Sequence, residues 1–183
     1  MNLHEWVIGY GSPMKQPKPN VNMKVTSKVE FTNIKCTSLD KTFSEFEYCH
    51  LKSVNRSYKY FSTKVKLHKI PITSVKVNVA LLKRLNGYKP FLYNITFDAC
   101  KFMASKNRNP VISFFYSMIG SHSNMNHNCP YNHDLIWDKI TINDINHHFL
   151  ELLPFPEGDY SVYAAWYAYG ILRADIQIFG TLS

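Results

Sequence analysis

At 183 residues the chain is long enough for one domain with a real hydrophobic core and too short for several. Its 45% hydrophobic and 15% aromatic content, with only 7 glycines, excludes a disordered or low-complexity protein and favours strands. The net charge of +8 is uneven: residues 1–110 carry 19 Lys/Arg against 6 Asp/Glu, and residues 111–183 carry 2 against 7. Lysines that alternate with apolar residues, as in STKVKLHK, assign much of the basic excess to the solvent faces of half-buried strands.

Residues 1–22 hold Gly9, Gly11, Pro13, Pro17 and Pro19 without periodicity, and read as a mobile leader outside the fold. They lack the apolar run of about 7–15 residues of a signal peptide, and no stretch reaches the roughly 18 apolar residues of a membrane-spanning helix. Period-two patterning then predicts strands: Val25, Val29 and Phe31; EFEYCHLKS; SYKYFSTKVKLHKI with Phe61, Val65 and Leu67 on one face; and SVKVNVALL with Val75, Val77, Val79 and Leu81. Asn86-Gly87 marks a turn, since both residues tolerate positive φ. In PFLYNITFDAC, Phe91, Tyr93, Ile95, Phe97 and Ala99 point to the core, and Leu92, Asn94, Thr96 and Asp98 point outward.

One helix is expected over 109–120. Asn109 suits its N-cap and Pro110 its first position, and Gly120 can end it. Val111, Phe114, Phe115, Met118 and Ile119 form its apolar stripe. LIWDKI, DYSVYAAWYAY and ILRADIQIFG complete seven or eight strands. Together these elements predict an all-β two-sheet β-sandwich over residues 23–183, with one inserted α-helix.

Cys36, Cys49, Cys100 and Cys129 allow three pairings. Pairing 36–49 and 100–129 keeps both loops local and is the favoured one; the second bridge would clamp the helical insertion to the sandwich. Two N-glycosylation sequons begin at Asn55 and Asn94, the latter on an outward strand position. An even cysteine count and two sequons point to an oxidising, secretory environment. That conflicts with the absent signal peptide unless the natural start of the protein differs from this one.

His122, His127, Cys129 and His133 in SHSNMNHNCPYNHDL are all zinc-binding residue types, but their spacing is not that of a structural site and an oxidised Cys129 cannot be a ligand. No metal and no cofactor is expected. His147-His148 read as surface residues. There is no G-x-S-x-G, Gly-rich phosphate loop or H-E-x-x-H, and Asp134, Asp138 and Asp144 lack an evident acid/base partner, so no enzyme is expected. NRSYKYFSTKVK interleaves basic and aromatic residues but carries no recognised RNA-binding motif, so no nucleic-acid partner is expected. The remaining function class is binding in a cavity. Val77, Val79, Tyr93, Ile95, Phe97, Phe114, Phe115, Met118, Trp137 and Trp166 are the candidate lining; a closely packed aromatic core is the competing account.

The runs FTNIKCTSLDKTFSEFEYCHLKSVNRSYKYFS, LLKRLNGYKPFLYNITFDACKFM, NMNHNCPYNHDLIWDK and LPFPEGDYSV resemble the insect domain-of-unknown-function family 1091 over about residues 23–183. The four cysteines, the CPY turn at Cys129-Pro130 and the Pro156–Tyr160 segment carry the likeness. Members resemble, distantly, the ML lipid-recognition family and fly chemosensory B-type proteins. The resemblance implies a secreted, disulfide-bonded, immunoglobulin-like β-sandwich that holds a lipid or other hydrophobic small molecule between its sheets, with room for a membrane receptor as a partner. The alternative is a structural or protein-interaction module with a filled core.

Overall fold

The computed structural model describes residues 28–56, 58–105, 109–145 and 155–183. The expected leader over 1–22, Val25, Ser57 of the first sequon and His147-His148 lie outside these residues.

Among the described residues eight strands follow one another in the order that periodicity predicts: β1 (Val29–Ser38), β2 (Ser44–Ser53), β3 (Lys59–Leu67), β4 (Val75–Leu85), β5 (Gly87–Asp98), β6 (Leu135–Thr141), β7 (Gly158–Ala168) and β8 (Ile171–Leu182). They make two antiparallel sheets, one ordered β1-β8-β7-β4-β5 and the other β2-β3-β6. The architecture is an all-β two-sheet sandwich. Its central core joins both sheets: Phe31, Ala164 and Ile176 from the larger, Phe61, Trp137 and Ile140 from the smaller. Phe61 is 1% exposed, and burial on that scale stabilises the fold by about 1.5–3 kcal/mol per large side chain.

The β4–β5 hairpin turns tightly at Asn86, with Leu85 paired to Gly87 and Gly87 at φ +83°, where a side chain would be strained. A bulge then shifts the register between Ala80 and Leu82 and places Leu92 at φ 64°. The inward alternation of Phe91, Tyr93, Ile95 and Phe97 survives it: Leu92, Asn94 and Thr96 are exposed.

Among the described residues, two α-helices rather than one lie between β5 and β6. α1 (Ala99–Ala104) starts where the strand was expected to continue through Ala99 and Cys100. Asp98 ends the strand by capping: its side chain accepts from the Lys101 amide at 3.0 Å. Six residues are too few to show a helical period in sequence. α2 (Pro110–Ile119) begins as expected, with Asn109 Oδ1 accepting from the amides of Val111 (3.0 Å) and Ile112 (3.2 Å). Gly120 does not stop α2 through a left-handed conformation; at φ −61° it leads into a short 3-10 turn, Gly120–His122. Space is tight there: a Cβ would sit 2.8 Å from the Tyr116 ring, so a larger residue would have to displace that side chain.

Candidate functional site

The two sheets do not close on each other completely. β5 and β6 are edges of different sheets, and α1, α2 and the loop between α2 and β6 span the side between them. This arrangement leaves a partly open apolar cavity of about 190 Å³ between the sheets. Val77 and Val79 of β4, Ala164 and Trp166 of β7, and Ile176 of β8 form one wall; Val65 of β3 and Trp137 of β6 form the facing wall. Phe102 and Met103 of α1 and Ile112, Phe115, Tyr116 and Ile119 of α2 close the side. A second cavity of about 90 Å³ lies alongside, and Ile119, Val162 and Ile178 line both, so these three side chains form the partition.

Six of the ten lining residues expected from sequence reach the larger cavity: Val77, Val79, Phe97, Phe115, Trp137 and Trp166. Tyr93, Ile95, Phe114 and Met118 do not. Tyr93, Phe114 and Met118 pack in a neighbouring cluster with Leu81, Phe155 and Tyr160, where the Tyr93 ring meets Phe115 edge-on at 6.1 Å. Ile95 packs against Phe102, Met103 and Ile112. The reason is the edge position of β5: its inward side is covered by the helices, and of its alternating face only Phe97 reaches the cavity. α2 is apolar nearly all round: of the stripe read from sequence, Val111, Phe114, Phe115, Met118 and Ile119, the fold turns Phe115 and Ile119 to the cavity, together with Ile112 and Tyr116 from outside it.

Sequence reasoning missed the contribution of α1 and of the segments around Phe43, Ile72, Met125 and Tyr131, which also line the cavity. The polar loop that raised the metal question is part of this wall. Asn124 Oδ1 accepts from the Ile136 amide (2.8 Å), and its Nδ2 donates to the Asp134 carbonyl (2.7 Å). Tyr131 and Ile72 exchange two backbone hydrogen bonds. These bonds hold Met125 and Tyr131 inward; burial, with Tyr116 nearby, pushes the Tyr131 phenol above its ordinary pKa. The histidines divide: His122 Nε2 lies 3.2 Å from Asp144, and the Nε2 atoms of His127 and His133 lie 2.7 Å apart. Among the described residues no three His, Cys, Asp or Glu side chains come together as a metal-binding group.

One disulfide joins the two sheets, and the other joins two segments that line the larger cavity. Cys36–Cys49 joins β1 of the larger sheet to β2 of the smaller, with Cα atoms 6.3 Å apart. Cys100–Cys129 joins α1 to the polar loop, with Cα atoms 5.4 Å apart. The pairs are those favoured by locality along the chain. Asn55 sits in the β2–β3 turn, its Oδ1 accepting from the Tyr58 amide, and Asn94 is exposed on β5, where Asn78 donates to Asn94 Oδ1 at 2.8 Å and to Thr96 Oγ1 at 3.0 Å.

At the end of the cavity nearest the β7–β8 turn, Arg173 is the one charged residue among the described residues of its wall. Its guanidinium lies over the Phe43 ring, 4.1 Å from the centroid, and pairs with Asp40. The Thr42 hydroxyl, together with Arg173 and the Phe43 amide, holds the Asp40 carboxyl below its ordinary pKa and outweighs the opposing effect of burial. No helix among the described residues is long and apolar enough to cross a membrane.

No curated protein matches this chain. A family model described as "Protein of unknown function (DUF1091)" matches residues 77–162. The matched stretch runs from β4 into β7 and takes in α1, α2, the Cys100–Cys129 bridge and β6, and over these residues the chain is similar to that family.

Proposed function

We propose that this protein is a secreted binding protein that carries a small hydrophobic molecule between its two sheets, as the likeness to lipid-recognition and chemosensory proteins implies. The observation that supports this reading most directly is the apolar cavity of about 190 Å³ between the sheets. A well-packed interior leaves few voids larger than a water molecule. An engineered apolar cavity of about 150 Å³ stays dry and takes up benzene. By that comparison the larger cavity suits a compact ligand, below the roughly 300–1,000 Å³ of drug-sized sites. The role is binding rather than catalysis, and two disulfides and two sequons suit an extracellular setting.

Native mass spectrometry of protein secreted from insect cells tests the reading. The expected result is a bound mass that is lost on organic extraction and regained from a lipid extract. Repeated preparations that carry nothing and take up nothing would favour the interaction-module alternative.

A further inference from the structure

Strand direction brings the β1–β2 loop, the β3–β4 loop and the β7–β8 turn to one end of the sandwich. There Ser38 pairs with Ala174, Val75 with Ala168, and Ser44 with Leu67. Hydrogen bonds tie the three segments together. The Leu39 amide donates to the Arg173 carbonyl (2.9 Å), and the His68 amide donates to the Phe43 carbonyl (2.9 Å). The Tyr169 hydroxyl donates to the Pro71 carbonyl at 3.1 Å, and the Tyr169 amide to the Ser74 carbonyl at 3.3 Å. The Phe43 and Tyr169 rings meet edge-on, with centroids 6.5 Å apart.

This end carries Leu39, Ile70, Tyr169 and Ile171, each 50–54% exposed. Single exposed apolar side chains are ordinary, but four on segments bonded to one another form a patch. The other large apolar residues exposed among the described residues, Val54, Tyr58, Leu85 and Leu92, lie toward the β2–β3 turn or on the β4–β5 hairpin.

Charge selects the partner. Lys41 and Lys69 are exposed in the same loops. The carboxylates of this end, Asp40 and Glu45, are engaged by Arg173 and His68, and among the described residues no carboxylate pairs with either lysine. Apolar side chains flanked by uncompensated lysines suit a boundary of acyl chains and anionic headgroups. A protein interface is usually depleted in lysine. Inner residues of the same segments, Phe43, Ile72 and Ala168, line the larger cavity, so a surface docked here would lie beside it.

We propose that this end of the sandwich docks on lipid surfaces that contain anionic headgroups. Leu39, Ile70, Tyr169 and Ile171 enter the headgroup–acyl boundary, and Lys41 and Lys69 meet the headgroups. Docking goes beyond the carrier reading and does not require an occupied cavity.

The test is co-flotation of the full chain with phosphatidylcholine vesicles, with and without phosphatidylserine. The mixed vesicles are expected to bind it more tightly than the neutral ones, and high salt to reduce that difference. On mixed vesicles, Leu39→Ser/Ile70→Ser/Ile171→Thr is expected to weaken binding at least about tenfold, and Lys41→Ser/Lys69→Ser at least about fivefold. Val54→Ser/Leu85→Ser removes exposed apolar groups elsewhere and is expected to leave binding unchanged. Thermal melts check folding; if the triple variant is unfolded, Leu39→Ser and Ile171→Thr made singly are each expected to weaken binding about threefold. Equal binding to both vesicle types, native affinity in the apolar or the lysine variant, or an equal loss in the Val54/Leu85 control would each overturn the proposal. So would failure of the native protein to bind either vesicle, which would assign the patch to a protein partner; none of these results bears on the carrier reading.

Discussion

Trp137 of β6 meets Trp166 of β7 edge-to-face, with ring centroids 5.7 Å apart and planes at 85°, so the two sheets touch through a pair of indoles beside the cavity. Trp137 is 5% exposed and also packs against Phe61 at 6.4 Å. Aromatic pairs in this geometry contribute about 0.5–1.5 kcal/mol beyond their buried area. Trp137→Ala is expected to cost about 3–5 kcal/mol of stability, read as a lowered midpoint in urea unfolding.

Filling the cavity separates ligand binding from folding. Ala164 lies in the wall between the sheets, 9% exposed. Ala164→Leu projects a larger side chain into the space, and its effect on stability is expected to stay within about 2 kcal/mol, because overpacking is limited where a void exists. Ligand affinity is expected to fall at least about tenfold, a loss of about 1.4 kcal/mol. An unchanged affinity in equilibrium titration would place the ligand elsewhere.

The two disulfides are expected to behave differently when removed singly. Their sequence separations are 13 and 29 residues, for which loop-closure entropy alone gives about 3 and about 3.6 kcal/mol. Cys100→Ser/Cys129→Ser frees α1 from the loop that carries Met125 and Tyr131, so ligand should dissociate faster from it than from Cys36→Ser/Cys49→Ser at matched stability. Stopped-flow release of a fluorescent probe reads this difference.

Acid should weaken the Arg173 end of the cavity. The folded Asp40 carboxyl has a pKa below its ordinary value, so its contribution to stability is present above the unfolded-state pKa of about 3.9 and is lost as pH falls through the lower, folded value. Thermal melts across that window should show a falling midpoint. Asp40→Asn, which cannot titrate, should start lower and lose less over the same window.

Asn94 is exposed on β5 beside Asn78. In protein secreted from eukaryotic cells, a glycan at Asn94 is expected, and Asn94→Gln should remove it, with intact-mass measurement before and after deglycosylation as the check. Asn78→Ala should leave its occupancy unchanged, since the glycan is transferred before the β4–β5 pairing forms.

Much of this protein was determined by its sequence alone. Strand periodicity in SVKVNVALL and PFLYNITFDAC gave the inward and outward faces of β4 and β5, because side chains alternate across a strand whatever it packs against. Asn109-Pro110 placed the start of α2 for an equally local reason, since the cap bonds only to amides two and three residues on. Tertiary structure alone decided which apolar faces enclose space. Tyr93 and Ile95 have the alternation of cavity residues, but β5 lies at a sheet edge and the helices cover them. α2 is apolar on several sides, so its orientation follows from packing against β5 on one side and the cavity on another. Arg173 reads in sequence as one more cation in a strand; only the fold places it against Phe43 and Asp40, with Nε buried in a cavity wall. Local bonding is written into neighbouring residues, whereas a cavity exists only where segments distant in sequence fail to meet.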